Sequence, residues 1–264
     1  MTTVDRIAPA HGAPCWVSLA THGLAGARDF YGAVLGWTFR RASLGEEFAV
    51  ALTDGVPVAG IGEVAGRLRM PVSWTPFFSV DEADAIAGRV AERCGTVAVG
   101  PLKLGEGRTA VAADPDGARF GFWEGHVLAN WHAEGGSPPA RLDLRTRDAF
   151  AAAIFYGQLF DWAAEDGPCE VEYADETVRV RVGKHTVATL NGGAVESAPD
   201  PRVRPRWEVS FPVADVAGTV AAALDHGGSR AEERPDGAAV LCDPEGAFFT
   251  VRPWEQHEQH ATGH

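Results

Sequence analysis

Hydrophobic and polar positions alternate along several short stretches of this chain, and each such stretch is followed by a helical pattern. Residues 15–20 alternate with a period of two, which predicts a strand with one buried face. A helix is predicted next, from about residue 25 to 35, and Gly36 is placed to end it in the left-handed conformation. The apolar positions that repeat at helical spacing are Ala27, Phe30, Tyr31 and Val34.

The same order of elements is predicted four times. Three strands follow the first helix, near residues 37–42, 47–53 and 57–63. Further strand–helix pairs are predicted at 74–80 with 82–93, 140–145 with 148–159, and 206–213 with 215–226. Each module is therefore strand–helix–strand–strand–strand, and the fold class is α+β.

Three sequence motifs occur twice, about half a chain length apart. Fixed-period similarity of this kind indicates that the second half is a diverged copy of the first. The motif pairs are residues 30–37 (FYGAVLGW) with 155–162 (FYGQLFDW), 78–81 (FSVD) with 211–215 (FPVAD), and 114–117 (DPDG) with 243–246 (DPEG).

Two tandem domains follow from this repeat, each with two modules. A Gly-Gly-Ser-Pro-Pro run at residues 135–139 marks the linker between them. The predicted segments are an N-terminal tail (1–13), the first domain (14–128), the linker (129–139), the second domain (140–254) and a C-terminal tail (255–264).

The composition of the chain argues against some classes of function. The chain has 264 residues, 45% of them hydrophobic, and a formal net charge of −13. This charge argues against a nucleic-acid partner, which requires clustered Lys and Arg. No apolar run is long enough to span a membrane, and no signal-peptide pattern opens the chain. Four cysteines without a CxxC pair indicate isolated thiols, so we expect a cytoplasmic protein.

Each predicted sheet carries one helix layer on one face, so two paired modules can curl into a cup that suits a ligand. The sequence leaves the pairing open. Modules one and two can share one cup and modules three and four the other, or the modules can be exchanged across the two halves. Fused pairs favour a monomer, with a homodimer as the alternative.

The repeated motifs resemble those of the vicinal-oxygen-chelate superfamily, which includes glyoxalase I, extradiol dioxygenases, fosfomycin-resistance enzymes and bleomycin-resistance proteins. The resemblance rests on the FYxxxLGW helix end, the FSVD strand–helix junction and the DP(D/E)G hairpins, and it extends over residues 14–124 and 140–253. It implies tandem domains of βαβββ modules. The activities it implies range from isomerases and dioxygenases to drug binders without catalysis.

Catalytic members of that superfamily hold a divalent metal with His and Glu on the first and last strands of paired modules. The corresponding positions here are Trp16, Thr75, Arg141 and Glu208 on first strands, and Gly121 and Thr250 on last strands. One carboxylate among six positions does not make a site, because a divalent metal needs three or four converging N or O ligands. A register shift by one residue restores no ligand set. We therefore predict no metal and no cofactor.

The first cup is predicted to be aromatic. Since alternate residues on a strand share a face, the side chains directed into it are Trp16, Ser18, Thr75, Phe77 and Trp123. Such a surface suits a planar ligand. The alternative is that these rings close a collapsed core.

The second cup is predicted to be charged. Arg141, Asp143 and Arg145 face it from one strand, Glu208 and Ser210 from the next, and Thr250 from the last strand. One interpretation is a structural network with the pairs Arg141–Glu208 and Arg145–Asp143, because an unpaired buried charge is costly. The other is a polar pocket that orients a ligand with hydroxyl or carboxylate groups.

Three functions remain at this point. The first is a metal-independent protein that binds a planar aromatic or polyketide-like compound, in antibiotic resistance or secondary metabolism. The second is a cofactor-free enzyme or accessory protein of natural-product biosynthesis, with Glu208, Asp143 and Arg141 as candidate acid–base residues. The third is a metal-dependent glyoxalase or dioxygenase.

Overall fold

The computed structural model describes residues 11–126, 138–162, 164, 169–174, 177–183, 185–198 and 200–254. Most of the predicted linker and all of the predicted C-terminal tail lie outside these ranges.

Both halves show the predicted order of elements. The first half contains β1 (Pro14–Ala20), α1 (Leu24–Leu35), β2 (Thr38–Arg41), β3 (Phe48–Thr53), β4 (Val56–Gly62), α2 (Ala65–Leu68), β5 (Ser73–Val80), α3 (Ala83–Glu92), β6 (Thr96–Leu104), β7 (Gly107–Ala113) and β8 (Arg119–Glu124). The second half contains β9 (Arg141–Arg145), α4 (Ala149–Phe160), β10 (Glu170–Ala174), β11 (Thr177–Val182), β12 (His185–Asn191), a 3-10 helix (Pro201–Val203), β13 (Arg206–Val213), α5 (Val216–Asp225), β14 (Ser229–Glu233), β15 (Ala239–Cys242) and β16 (Phe248–Pro253).

Each half forms one eight-stranded mixed sheet. The strand orders are β2-β3-β4-β1-β5-β8-β7-β6 and β10-β11-β12-β9-β13-β16-β15-β14. The first strands of paired modules, β1 with β5 and β9 with β13, are antiparallel neighbours at the centre of each sheet. Modules one and two therefore share the first cup, and modules three and four share the second. The prediction of four βαβββ modules in two tandem domains is confirmed, and the exchanged pairing is not the one observed.

The helix ends follow the predicted chemistry, with one difference between the repeats. Gly36 ends α1 in the left-handed conformation at φ 68°, as expected. At the equivalent place Asp161 ends α4 at φ 56°, which Asp tolerates better than most residues. The short helix α2 and the 3-10 helix were not predicted, because one turn carries no periodic pattern. None of the helices in the described ranges is long and apolar enough to cross a membrane.

The two halves are joined by a buried hydrogen-bond network that occurs twice. Tyr31 on α1 donates to Asp243 Oδ2 over 3.0 Å and accepts from Trp74 Nε1 over 2.9 Å. The second copy lies between Tyr156 on α4, Asp114 Oδ2 at 3.0 Å and Trp207 Nε1 at 2.9 Å. Each tyrosine of the FYG motif thus bonds to the aspartate of the DPxG hairpin in the other half. Both tyrosines are fully buried, and burial raises the pKa of each well above its ordinary value.

The third residue of each DPxG hairpin adds a second contact between the halves. Thr21 Oγ1 donates to Glu245 Oε2 over 2.6 Å. In the other copy Thr146 Oγ1 donates to Asp116 Oδ2 over 2.7 Å, and Arg147 Nε donates to Asp116 Oδ1 over the same distance. Each hairpin is therefore hydrogen-bonded to the residues that directly follow the first strand of the other half.

The chain just before β1 also joins the halves. Gly12 N donates to Ser79 O over 2.7 Å, and Ser79 N donates to Ala13 O over 2.9 Å. Trp162 Nε1, from the second half, donates to Gly12 O over 2.7 Å. Gly12 has φ 76° and lies directly against the Phe160 backbone, so no larger residue fits there. Gly12 and Ala13, which precede β1, thus contact both halves.

Removing one tyrosine hydroxyl should destabilise the protein strongly. The Tyr156→Phe substitution removes the partner of Asp114 Oδ2 and of Trp207 Nε1 in a buried site, while Asp114 Oδ1 keeps its bonds from the hairpin backbone. We expect a loss of about 2 kcal/mol in the free energy of unfolding, measured by urea titration. Tyr31→Phe should cost a similar amount. Tyr173→Phe is the control, because Tyr173 is 53% exposed, and it should change little.

Stability should also depend on the protonation of Asp114. Burial raises the pKa of this carboxyl to about 6, against the opposing hydrogen bonds from Ala118 and Tyr156. Because the folded state then binds a proton more tightly than the unfolded chain, the free energy of unfolding should fall as pH rises from about 4 to about 6. Asp114→Asn should reduce this slope in urea titrations across that range. An unchanged slope would contradict the assignment to Asp114.

Candidate functional site

The first cup contains a cavity of about 410 Å³. All five predicted residues line it: Trp16, Ser18, Thr75, Phe77 and Trp123. The pairing of β1 with β5 places Trp16 opposite Phe77, and Ser18 opposite Thr75, at the centre of the sheet. The alternation along these strands therefore predicted correctly which side chains face the cup.

Other parts of the first half complete the wall. Sequence reasoning missed these residues, because it considered only the first and last strands of each module. Alternation along β3 and β6 is the signal that would have found part of this set. The additional lining includes Ala42, Leu44, Phe48 and Val50 from β3 and the loop before it, Arg67, Leu68 and Met70 around α2, and Leu102, Leu104 and Thr109 from the β6–β7 hairpin.

Glycines beneath the rings create the space for them. A Cβ atom on Gly121 would collide with the Phe77 ring, and one on Gly60 would lie 2.8 Å from Trp16 Nε1. The four glycine–aromatic pairs are Gly60 with Trp16, Gly62 with Phe48, Gly107 with Trp123, and Gly121 with Phe77. Because these glycines have no side chain, the aromatic rings can lie directly against the sheet and form the floor of the cavity.

Polar groups are sparse in this cavity. Thr109 Oγ1 donates to Phe122 O over 3.3 Å, and Trp123 Nε1 donates to His126 O over 3.2 Å. Thr75 Oγ1 is buried and has no hydrogen-bond partner among the described residues. At the rim, Arg67 lies 3.4 Å from Glu47 and is mostly exposed. The cavity is thus an apolar, aromatic surface with charged groups at its edge.

The residues of the first cup do not fit a catalytic divalent metal. Trp16 and Thr75 occupy the first-strand positions, and Gly121 on β8 lies under the Phe77 ring, where no carboxylate fits. Across the described residues no group of three or more His, Cys, Asp or Glu side chains is arranged to hold a metal ion. The donor set therefore lacks the ligands that such an ion needs.

The second cup is filled by ion pairs, but not by the predicted ones. Arg141 Nε lies 3.3 Å from Asp143 Oδ1. Glu208 is bound on both sides, by Arg206 at 2.5 Å and by Arg234 at 2.6 Å. The predicted pairs Arg141–Glu208 and Arg145–Asp143 are wrong, because the strand register puts Asp143 directly opposite Glu208. Arg234 lies beyond β14, outside the strands from which the pairs were predicted.

The other predicted residues of the second cup, Asp143, Ser210 and Thr250, are all buried. Burial raises the pKa of Asp143, although Arg141 and Arg252 oppose this shift. Ser210 and Thr250 are almost completely buried, with 0% and 1% of their surface exposed. None of the predicted residues of the second cup lines the cavity of the first.

No cysteine lines the cavity of the first cup. All four are free thiols, with Cys15 and Cys169 buried and Cys94 exposed. Burial raises the pKa of Cys169 to about 12 and that of Cys15 further still. These two are core residues rather than nucleophiles.

The sequence of each half matches a glyoxalase family. Residues 14–122 match the Glyoxalase/Bleomycin resistance protein/Dioxygenase superfamily. Residues 141–252 match the Glyoxalase-like domain. The two matches together contain both eight-stranded sheets except for the last one or two residues of β8 and β16.

Relatives of the whole chain and solved structures agree with this assignment. The chain is 34% identical to the anthracycline biosynthesis protein DnrV of Streptomyces peucetius, over 94% of each protein. It is 33% identical to the anthracycline biosynthesis protein DauV of Streptomyces sp. (strain C5), again over 94% of each. The Mn(II)-bound glyoxalase from Novosphingobium aromaticivorans has the same fold, with a TM-score of 0.55 and 14% identity over 94% of this chain and 86% of that one. The chain therefore belongs to the glyoxalase/bleomycin resistance protein/dioxygenase superfamily, as a member with two tandem domains.

Proposed function

We propose that this protein binds a planar, largely apolar natural product without a metal, in the biosynthesis of an antibiotic or in resistance to one. The observation that supports this most directly is the cavity of the first cup, with aromatic rings lying over glycines. A flat ligand can stack on such a floor over a large area. A metal-dependent glyoxalase or dioxygenase is disfavoured, because the donor residues are missing at the positions of its ligands.

The size of the cavity and the relatives support the same ligand class. A volume of about 410 Å³ falls in the range typical of sites for small molecules. The relatives named above are anthracycline biosynthesis proteins, and anthracyclines are polyketides with fused planar rings. The proposed ligand is therefore an aromatic polyketide or a compound of similar shape.

Trp16, Phe77 and Trp123 supply the stacking surface in this proposal. Each aromatic contact contributes about 0.5–1.5 kcal/mol beyond the area that it buries. The exposed Arg67 and Glu47 at the rim leave polar substituents of the ligand in contact with water and charge. The proposed orientation is thus ring system inward and polar groups outward.

An acid–base enzyme in the second cup is the alternative. Asp143 favours it, since burial raises the pKa of this carboxyl toward the range of a general base. Glu208 does not, because both of its carboxylate oxygens accept hydrogen bonds from guanidinium groups. The proposed role of Glu208 is therefore to hold Arg206 and Arg234 in place.

Ligand binding should be visible in the tryptophan fluorescence. Titration with a panel of planar polyketides and anthraquinones should quench the emission, because Trp16 and Trp123 line the cavity. Phe77→Leu should weaken binding roughly tenfold, since it removes one stacking ring. Phe150→Leu is the control, because Phe150 is a half-exposed ring on α4. Absence of quenching by every compound would contradict the proposal.

Glu208→Gln should reduce stability and leave ligand binding in the first cup unchanged. The substitution removes the negative charge that pairs with Arg206 and Arg234, whose side chains are only 17% and 20% exposed. We expect a loss of about 2 kcal/mol in the free energy of unfolding. Glu233→Gln is the matched control, because Glu233 is 74% exposed and its loss should cost little. A variant of full stability that has lost a turnover present in the wild type would instead support the enzyme.

A further inference from the structure

One arginine side chain of the second cup has no acidic partner among the described residues. The Arg145 guanidinium group makes no ion pair or hydrogen bond within these ranges, and its Nε atom is buried. The other arginines of the cup are paired. The pairs are Arg141 with Asp143 at 3.3 Å, Arg206 and Arg234 with Glu208 at 2.5 and 2.6 Å, and Arg252 with Asp236 at 3.3 Å.

Arg145 also lies beside another cation. The pairing of β9 with β13 puts it directly opposite Arg206, and like charges at opposed positions of a sheet repel each other. Burial lowers the pKa of Arg206; Arg145 and Arg234 lower it further, while Glu208 opposes this. Arg145, Arg206 and Arg234 thus lie on the face that carries the carboxylates of Glu208 and Asp143. Glu232 adds a further acid, 3.8 Å from Arg234.

This arrangement leaves positive charge at one place in a strongly acidic chain. The formal net charge of the chain is −13, whereas the second cup carries an excess of arginine side chains. A half-buried cation without a counter-charge costs free energy unless an anion binds to it. The guanidinium groups of Arg206 and Arg234 are partly exposed, so a small anion can reach them from solvent.

Two hydroxyl groups on the same face provide independent evidence of a polar ligand. Ser210 Oγ and Thr189 Oγ1 are buried and have no hydrogen-bond partner in the part of the chain that the structure describes. Ser210 is opposite Arg141, and Thr189 is opposite Asp143, so both belong to the concave face of the second sheet. Buried polar groups of this kind are normally satisfied.

We propose that the second cup binds the carboxylate or phosphate group of a small molecule, with Arg145 and Arg206 as its main ligands. Two guanidinium groups can hold either oxyanion through paired N–H donors. Arg206 is kept in position from below by the Phe248 ring, 5.7 Å from its guanidinium carbon, and from the side by Glu208. The net charge of −13 argues against a nucleic-acid backbone as the source of the anion.

This site is independent of the cavity in the first cup. None of its residues lines that cavity, so either site can be present without the other. Quenching of tryptophan fluorescence by a planar ligand should accordingly be the same in the wild type and in Arg145→Met. The proposed function and the anion site are therefore tested separately.

The test is thermal unfolding of the wild type, Arg145→Met and Arg230→Met in sodium phosphate, sodium benzoate or sodium chloride at equal ionic strength. Wild type should be more stable in phosphate or benzoate than in chloride, increasingly so with anion concentration. Arg145→Met should bind the anion at least tenfold more weakly, and in chloride it should match or exceed the wild type. Arg230→Met removes an exposed charge of the same half and should respond like the wild type.

The anion that stabilises the protein identifies the group. An effect of benzoate alone indicates a carboxylate ligand, and an effect of phosphate alone indicates a phosphorylated one. Arg145→Lys keeps the positive charge but lacks the planar guanidinium group, so it should retain part of the stabilisation by the anion. This variant also provides the test if Arg145→Met does not fold. No specific effect in the wild type, or an equal effect in Arg145→Met, would overturn the proposal.

Discussion

The hydrogen bond between each FYG tyrosine and the aspartate of the other half is the constraint on which the arrangement of the two sheets depends. Tyr31 and Tyr156 each join a buried indole N–H of their own half to a buried carboxylate of the other half, within the shared apolar core. Because buried polar groups are normally satisfied, these bonds favour the relative position of the halves in which both are made. Both concave faces are thereby turned away from the interface and remain free to differ.

The two cups have the same fold but differ in the chemistry of their concave faces. In the first, glycines on β4, β7 and β8 lie under aromatic rings, so the concave face is apolar and open. In the second, arginines and carboxylates occupy the concave face, and Glu208 organises its centre. The positions that bear metal ligands in catalytic members of the superfamily hold different residues in the two cups. They are Trp16, Thr75 and Gly121 in the first, and Arg141, Glu208 and Thr250 in the second.

The sequence predicted the fold and the contents of the first cup because both depend on local patterns. Alternation along β1 and β5 decides which side chains face inward, so Trp16 and Phe77 could be placed without a structure. Charge pairing in the second cup depends instead on strand register and on Arg234, which is distant in sequence from Glu208. Motif similarity located the FYG and DPxG segments, but only the packing of the halves shows that these segments contact each other.

The duplicated Tyr–Asp contact has a consequence for the history of the chain. Since each half supplies one tyrosine and one aspartate to the interface, a single half would carry both components of a self-complementary surface. An ancestor with one domain would then form a two-fold symmetric dimer through the same bonds. Fusion of two such copies into one chain would release the dimer from symmetry, so that one ligand surface could become aromatic while the other accumulated charge.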